Sequence, residues 1–226
     1  MESLNLSKSY DFFKPEDCKD RIHIIGCGSV GSALAELLAR FGLTKLTLYD
    51  FDTVEPKNLA NQMFCQEHIS MSKVDALANI LSEINPEIKD NVKLLPDGYT
   101  DQKLSGYVFL CVDNIELRRE IAVKNKNNPY IKAMFDFRTR LTDAQHFAAD
   151  WKNIKMVDDF INSMNFTHKE AAAETPVSAC NVTLSVAPTV RIICAYGVAN
   201  FINFVKSGEL KKLILMDAFS FTVDAF

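Results

Sequence analysis

The chain reads as an α/β domain: a Rossmann-like, doubly wound, mostly parallel sheet with extra strands toward the C-terminus. Three observations lead there. Residues 21–50 run strand, glycine turn, helix, strand, acid. Downstream, short apolar runs keep alternating with stretches of helical period, the pattern of a parallel sheet covered on both faces. Three apolar runs end in an aspartate, Asp50, Asp113 and Asp136, and ligands of such sheets bind beyond the carboxyl ends of the strands.

The first strand is Arg21 to Ile25, short, apolar and β-branched. Gly26-Cys27-Gly28-Ser29-Val30-Gly31 follows as a full G-x-G-x-x-G. Gly26 and Gly28 let backbone N–H groups approach a phosphate, Gly31 lets helix and strand pack closely, and the helix N-terminus beginning at Ser29 favours negative charge. Leu34, Leu37, Leu38 and Phe41 recur at helical spacing, and Gly42 stands where a helix stops. Leu46 to Tyr49 is the second strand. It ends in Asp50, an acid about twenty residues past the glycines and placed for ribose hydroxyls.

Ser72-Lys73-Val74-Asp75 has the look of a capping box opening a helix with Val74, Leu77, Leu81 and Ile84 on one face. Asn85-Pro86 ends it. Val92 to Leu95 and Tyr107 to Val112 read as strands, with Asp113 at the tip of the second. Ile115 to Lys126 reads as a helix and Tyr130 to Phe135 as a strand, followed by Asp136, Arg138 and Arg140. Ala144 to Ala149 is expected as an outer strand. Residues 150–180 turn polar, with a helical patch at Met156 to Met164, and read as an excursion over the active face. An apolar helix from Pro188 to Val205 comes next, ended by Gly208, and Lys212 to Met216 and Phe219 to Val223 read as strands. Residues 1–20 are a mixed lead-in, and the whole of 1–226 reads as one domain.

Composition narrows the function classes. The 226 residues are 48% hydrophobic and 24% charged with a net charge of −4 and no basic run, which argues against nucleic acid as a partner. The longest apolar stretch, Val186 to Val205, is broken by Pro188, Arg191, Asn200 and Asn203. It reads as a buried helix rather than a membrane span. No basic segment leads into an apolar run at the N-terminus, so a cytoplasmic location is expected. The six cysteines include no Cys-x-x-Cys pair, which leaves free thiols as the default.

Asp50-Phe51-Asp52-Thr53-Val54 followed by Asn58-Leu59-Ala60-Asn61-Gln62 resembles the ThiF/MoeB/HesA superfamily, which includes the ubiquitin-activating enzymes. The resemblance extends to Lys73 at a helix start, to Ile84-Asn85-Pro86, and to Asp113-Asn114 with Arg118, and covers residues 21–140 best. It implies ATP-dependent adenylation of the C-terminal carboxylate of a small ubiquitin-like or sulfur-carrier protein, by a homodimer. On that footing Asp50 holds the ribose, Asp52 and Asn58 face the phosphates or metal, Lys73 offsets phosphate charge, and Asp113 binds Mg2+. Gly26, Gly28, Ser29, Gly31, Asn61, Gln62 and Asn114 complete the nucleotide site.

Departures from the family pattern bear on the chemistry. The arginine of N-L-x-R-Q is Asn61 here, and Arg138 and Arg140 are candidates to replace its charge. Cys180, ahead of the apolar helix, resembles in placement a cysteine that takes the activated acyl group or serves in sulfur transfer; a half-buried structural thiol is the alternative. Two other readings stay open. One is a catalytically impaired nucleotide- or protein-binding module. The other is a nicotinamide-dependent oxidoreductase, from the glycine loop alone.

Overall fold

The computed structural model describes residues 2–167, 169, 170, 177 and 184–226. Eight strands form one sheet in the order β3-β2-β1-β4-β5-β6-β7-β8. Strands β1 (Ile22–Ile25), β2 (Leu46–Tyr49), β3 (Lys93–Leu95), β4 (Gly106–Leu110) and β5 (Ile131–Thr139) run parallel to one another. Strands β6 (Asp143–Asp150), β7 (Leu213–Asp217) and β8 (Thr222–Ala225) continue from β5 as an antiparallel meander. The chain leaves β1 toward β2 on one side and returns to β4 on the other, so the order reverses between β1 and β4. That reversal is where doubly wound sheets open a crevice for ligands.

Both faces of the sheet are covered, which is why β1, β2 and β4 are buried at every residue. On one face lie α1 (Ser29–Arg40), α2 (Lys73–Ile84) and, after the short α3 (Ile88–Asn91), the long α6 (Ala187–Ser207). Phe109, Phe135 and Phe137 stack in a row there, and Phe201 of α6 meets Phe109 and Phe135 edge-on. The other face carries α4 (Ile115–Lys124) and α5 (Ile154–Asn162), with Trp151, Val157, Phe160 and Met164 in its core. Helix α6 is long and apolar enough to cross a membrane by length and composition. Its Val190, Ile193, Cys194, Val198 and Phe201 are buried against α1 and the sheet, so it serves as a core helix.

Several sequence expectations are corrected. β5 does not stop at Phe135 but continues to Thr139, because β6 pairs with it beyond the end of β4, Arg138 opposite Gln145. Asp136 and Arg138 are therefore strand residues. β6 is not an outer strand, being flanked by β5 and β7. The last strand starts at Thr222 rather than Phe219, since Asp217 Oδ1 accepts from the N–H groups of Phe219 and Ser220 and holds them in a turn. Ser72 does not form a capping box: its hydroxyl is buried without a partner, while its backbone bridges to Thr53. Residues 151–164, expected over the active face, cover the sheet as α5 and its flanks. Residues 168, 171–176 and 178–183, with Cys180 among them, lie outside the described residues.

Candidate active site

The glycine loop sits at the reversal point. Gly26 has φ +98, and a Cβ there would come 2.7 Å from the Val112 backbone nitrogen. Only glycine lets β1 turn out this close to the end of β4. A Cβ on Gly31 would lie 1.9 Å from the Gly26 carbonyl oxygen, so α1 starts in backbone contact with the loop. Above Gly28 nothing lies within 4 Å. The N-cap of α1 is Gly28 itself, with no side-chain cap, which leaves first-turn N–H groups available to an anion from that open side.

The acids and the lysine are tied to this loop in a chain. Cys27 N–H donates to Asp50 Oδ2 (2.6 Å), and Asp52 N–H donates to Asp50 Oδ1 (2.9 Å). Burial pushes the Asp50 carboxyl up, while Lys73 and the two N–H donors pull it back. Lys73 Nζ meets Asp52 Oδ2 at 2.6 Å, and Lys73 N–H donates to the Asp52 carbonyl at 3.0 Å. The lysine side chain is 8% exposed and that of Asp52 52%. The cation is thus held low beside the loop while its carboxylate partner faces solvent, where a phosphate can compete for the charge.

Asn58 is a scaffold residue in this arrangement. Its Oδ1 accepts from Glu55 N–H (2.8 Å) and fixes the one-turn helix Pro56–Ala60. That turn ends at Asn61, and Gln62 follows with its buried Oε1 unpartnered. Met63 N–H then donates to Ser32 Oγ of α1 (3.2 Å), which lays Asn61 and Gln62 beside the α1 flank. Asp113 is exposed, directly after the Val112 that Gly26 touches. Asn114 caps α4, its Oδ1 accepting from Leu117 N–H (2.8 Å).

Asp136 does not join Asp50 and Asp113 on an open rim. It is wholly buried between two guanidiniums, with Arg118 Nη1 on Oδ1 (2.8 Å) and Arg138 Nε on Oδ2 (2.7 Å). Arg118 also donates to the carbonyls of Val112 (2.5 Å) and Phe137 (2.6 Å). Arg138 donates to the Ser163 carbonyl and hydroxyl, both at 2.8 Å, and lies 4.1 Å over the Phe147 ring. Arg138 thus braces β5 against the end of α5, and its charge is matched by Asp136. It is not available as the substitute for Asn61. Arg140 is exposed, and its backbone N–H donates to the Asp143 carbonyl (2.9 Å).

The thiols near the loop are inert by placement. Burial pushes Cys27, Cys111 and Cys194 well up from the ordinary thiol value. Among the described residues no group of three His, Cys, Asp or Glu side chains could hold a metal ion. Magnesium is commonly held by one or two carboxylates together with substrate phosphates, and exposed Asp113 and half-exposed Asp52 fit that mode. Three side chains carry a signal that the sequence reading did not give them. Ser72 Oγ, Ser185 Oγ and Arg191 Nη1 are buried without partners. In the sequence Ser72 reads as a helix cap and Arg191 as one charge inside the apolar run Val186 to Val205, while Ser185 gives no signal.

Fold and site define a doubly wound α/β domain whose uncapped glycine-loop helix meets a buried lysine and two solvent-facing aspartates at the sheet's reversal point. The chain belongs to the ThiF family, whose model matches residues 16–226. It is 33% identical over 145 residues to ubiquitin-like modifier-activating enzyme 5 of Drosophila virilis, an alignment covering 57% of this chain and 35% of the relative. It is 35% identical over 122 residues to molybdopterin-synthase adenylyltransferase of Haemophilus influenzae, covering 50% and 49%. Those matches span from a third to half of the relatives' lengths. Solved structures with the same fold include PaaA, at TM-score 0.71 and 15% identity, and E. coli MccB with ATP, at 0.69 and 18%. Each covers 94% of this chain and 65% of the other.

Proposed function

We propose that this domain uses ATP and Mg2+ to adenylate the C-terminal carboxylate of a small ubiquitin-like or sulfur-carrier protein. The observation that carries the proposal is Lys73, buried beside the open glycine loop and, among the described residues, paired only with the solvent-facing Asp52. Relatives named as a ubiquitin-like modifier-activating enzyme and a molybdopterin-synthase adenylyltransferase support the reaction class. Membership in the ThiF family leaves the nicotinamide alternative without support.

In this reading Asp50 takes the ribose hydroxyls and the α1 N-terminus takes a phosphate. A carboxylate oxygen of the partner bonds to the α-phosphorus as the bond to the bridging oxygen breaks, and pyrophosphate leaves with the electron pair. Lys73 offsets the charge that repels the incoming carboxylate and grows on the leaving group, the kind of preorganised electrostatic help that dominates such barriers. Asp113 and Asp52 would hold Mg2+, which supplies further charge neutralisation on the phosphates. Cys180 would accept the acyl group as a thioester after adenylation. The same proposal makes the enzyme a cytoplasmic homodimer.

One observation favours a second reading, an impaired nucleotide-binding module. Asn61 supplies no charge, and Arg138 is held by Asp136. The two readings separate in one experiment. ATP with Mg2+ should raise the melting temperature by mass action while NAD leaves it unchanged. ATP–pyrophosphate exchange should then appear on adding a small partner protein ending in Gly-Gly. Stabilisation by ATP without exchange selects the impaired module. Equal stabilisation by NAD, or none by ATP, overturns both.

A further inference from the structure

Helix α6 starts at the same edge of the sheet as α1. Thr189 Oγ1 in its first turn donates to the Leu141 carbonyl (2.8 Å), in the turn that follows the end of β5. Alongside α1, Cys194 Sγ donates to the carbonyl of Val30 (3.6 Å), the second residue of α1. Arg191 precedes Cys194 by one turn, which carries it about 4.5 Å nearer the edge at the helical rise. Residues three apart share one side of a helix, so Arg191 follows Cys194 toward α1. The step brings it level with Gly28 and Ser29, where α1 begins.

Its guanidinium is unusual in having nothing to hold. Nη1 is buried with no hydrogen-bond partner. Among the described residues it makes no ion pair, whereas Arg118 and Arg138 share a carboxylate. Ser185 Oγ, just ahead of α6, is buried without a partner too. Neither α1 nor α6 has a side-chain N-cap. Arg191 as a whole is partly buried, and a buried guanidinium nitrogen left without an acceptor is costly unless an anion completes it. Two uncapped helix starts, a spare hydroxyl and a guanidinium nitrogen without an acceptor, all at one edge of the sheet, are complementary to a polyphosphate. The Arg191 charge also reaches Cys194, where it opposes the upward push of burial on the thiol.

We infer that Arg191 is a phosphate-binding residue of the nucleotide site, reaching the α1 N-terminus from the α6 side. Residues 61–63 attach to α1 at a different point, Met63 N–H donating to Ser32 Oγ. The inference rests on the adenylation reading for the identity of the anion. It gives the site a second cation from a different direction, in place of one from position 61.

The test is calorimetric titration of wild type, Arg191→Met and Arg191→Lys with ATP, pyrophosphate and adenosine, all with Mg2+. Arg191→Met should weaken ATP and pyrophosphate by about tenfold to a hundredfold, the range for a lost charge-assisted contact, and leave adenosine unchanged. Arg191→Lys should fall between, keeping the charge without the planar fork. The ligand-free melting temperature of Arg191→Met should equal or exceed that of wild type, since a buried nitrogen without an acceptor has gone and no ion pair among the described residues is lost. Unchanged ATP affinity, or a lowered ligand-free melting temperature with adenosine weakened as much as ATP, overturns the inference. So does wild type that binds neither ATP nor pyrophosphate. Wild type that binds pyrophosphate through Arg191 yet never adenylates a carboxylate sinks the catalytic reading and leaves this site standing.

Discussion

Replacing Asp136 by Asn strands two positive charges. The carboxylate is wholly buried, and the side chains of Arg118 and Arg138 are 9% and 16% exposed. Asn keeps the shape and one acceptor oxygen but removes the counter-charge. Both guanidiniums retain neutral acceptors, the carbonyls of Val112, Phe137 and Ser163, which do not balance them. Breaking a buried ion pair from one side costs about 3–5 kcal/mol. For a domain of this size each kcal/mol moves the melting temperature by about 2–4 °C, so a fall of roughly 6–20 °C is expected. Urea unfolding followed by the fluorescence of the single tryptophan, Trp151, buried in the α5 core, should show a lower midpoint at unchanged slope. Adding Arg138→Met removes one stranded charge and should recover about 1 kcal/mol or more of that loss. The stabilisation by ATP should survive, because the triad braces the fold and does not hold the nucleotide. A loss under about 1 kcal/mol, the scale of a solvent-screened pair, would refute the reasoning.

Three further outcomes are expected. Gly31→Ala forces a methyl onto the Gly26 carbonyl, so it should cost about 1–3 kcal/mol as an overpacked contact and weaken ATP binding in titration; a neutral effect on both would show that the loop can open. His146 is fully buried, its Nδ1–H donating to the Asp136 carbonyl and its Nε2 accepting from Asn200, and burial lowers it to about 4. The unfolded chain takes up that proton first, so stability should fall as pH drops from about 6.5 toward 4, by about 3 kcal/mol from this residue; a His146→Gln variant with the same pH profile as wild type would refute the assignment. At neutral pH iodoacetamide should label exposed Cys65 but not Cys27, Cys111 or Cys194. A Cys180 that labels more slowly than Cys65, with or without ATP, removes its proposed acyl-transfer role.

The parallel half of the sheet was legible in the chain because its information is local. Strand, glycine turn, helix and acid over 21–50 each follow from periodicity and from the backbone freedom of glycine, and the structure places β1, α1 and β2 within a residue or two of the reading. Likewise Lys73 stands at a helix start because residues 72–75 say so, even though the hydroxyl of Ser72 does not cap it. What depends on a partner strand was not legible. β5 outruns Phe135 because β6 pairs with its far end, and nothing local to Asp136 reveals that.

The same distinction governs the charges. From the sequence, Asp136 and Arg138 are indistinguishable from rim residues such as Asp113, since an acid or a base after an apolar run looks alike whether it faces water or a counter-ion. Only the fold brings Arg118 from α4 and Arg138 from β5 onto one carboxylate and so withdraws both from the site. The reverse holds for Arg191: a lone charge in an apolar helix is visible in the chain, but its direction is not. The packing of α6 along α1, through Cys194 and Val30, is what carries the inference that it serves the glycine loop. The chain therefore determined which residue types a phosphate site could draw on. The tertiary structure decided which of them are already neutralised, because a charge is matched or spare only through neighbours that are distant in sequence.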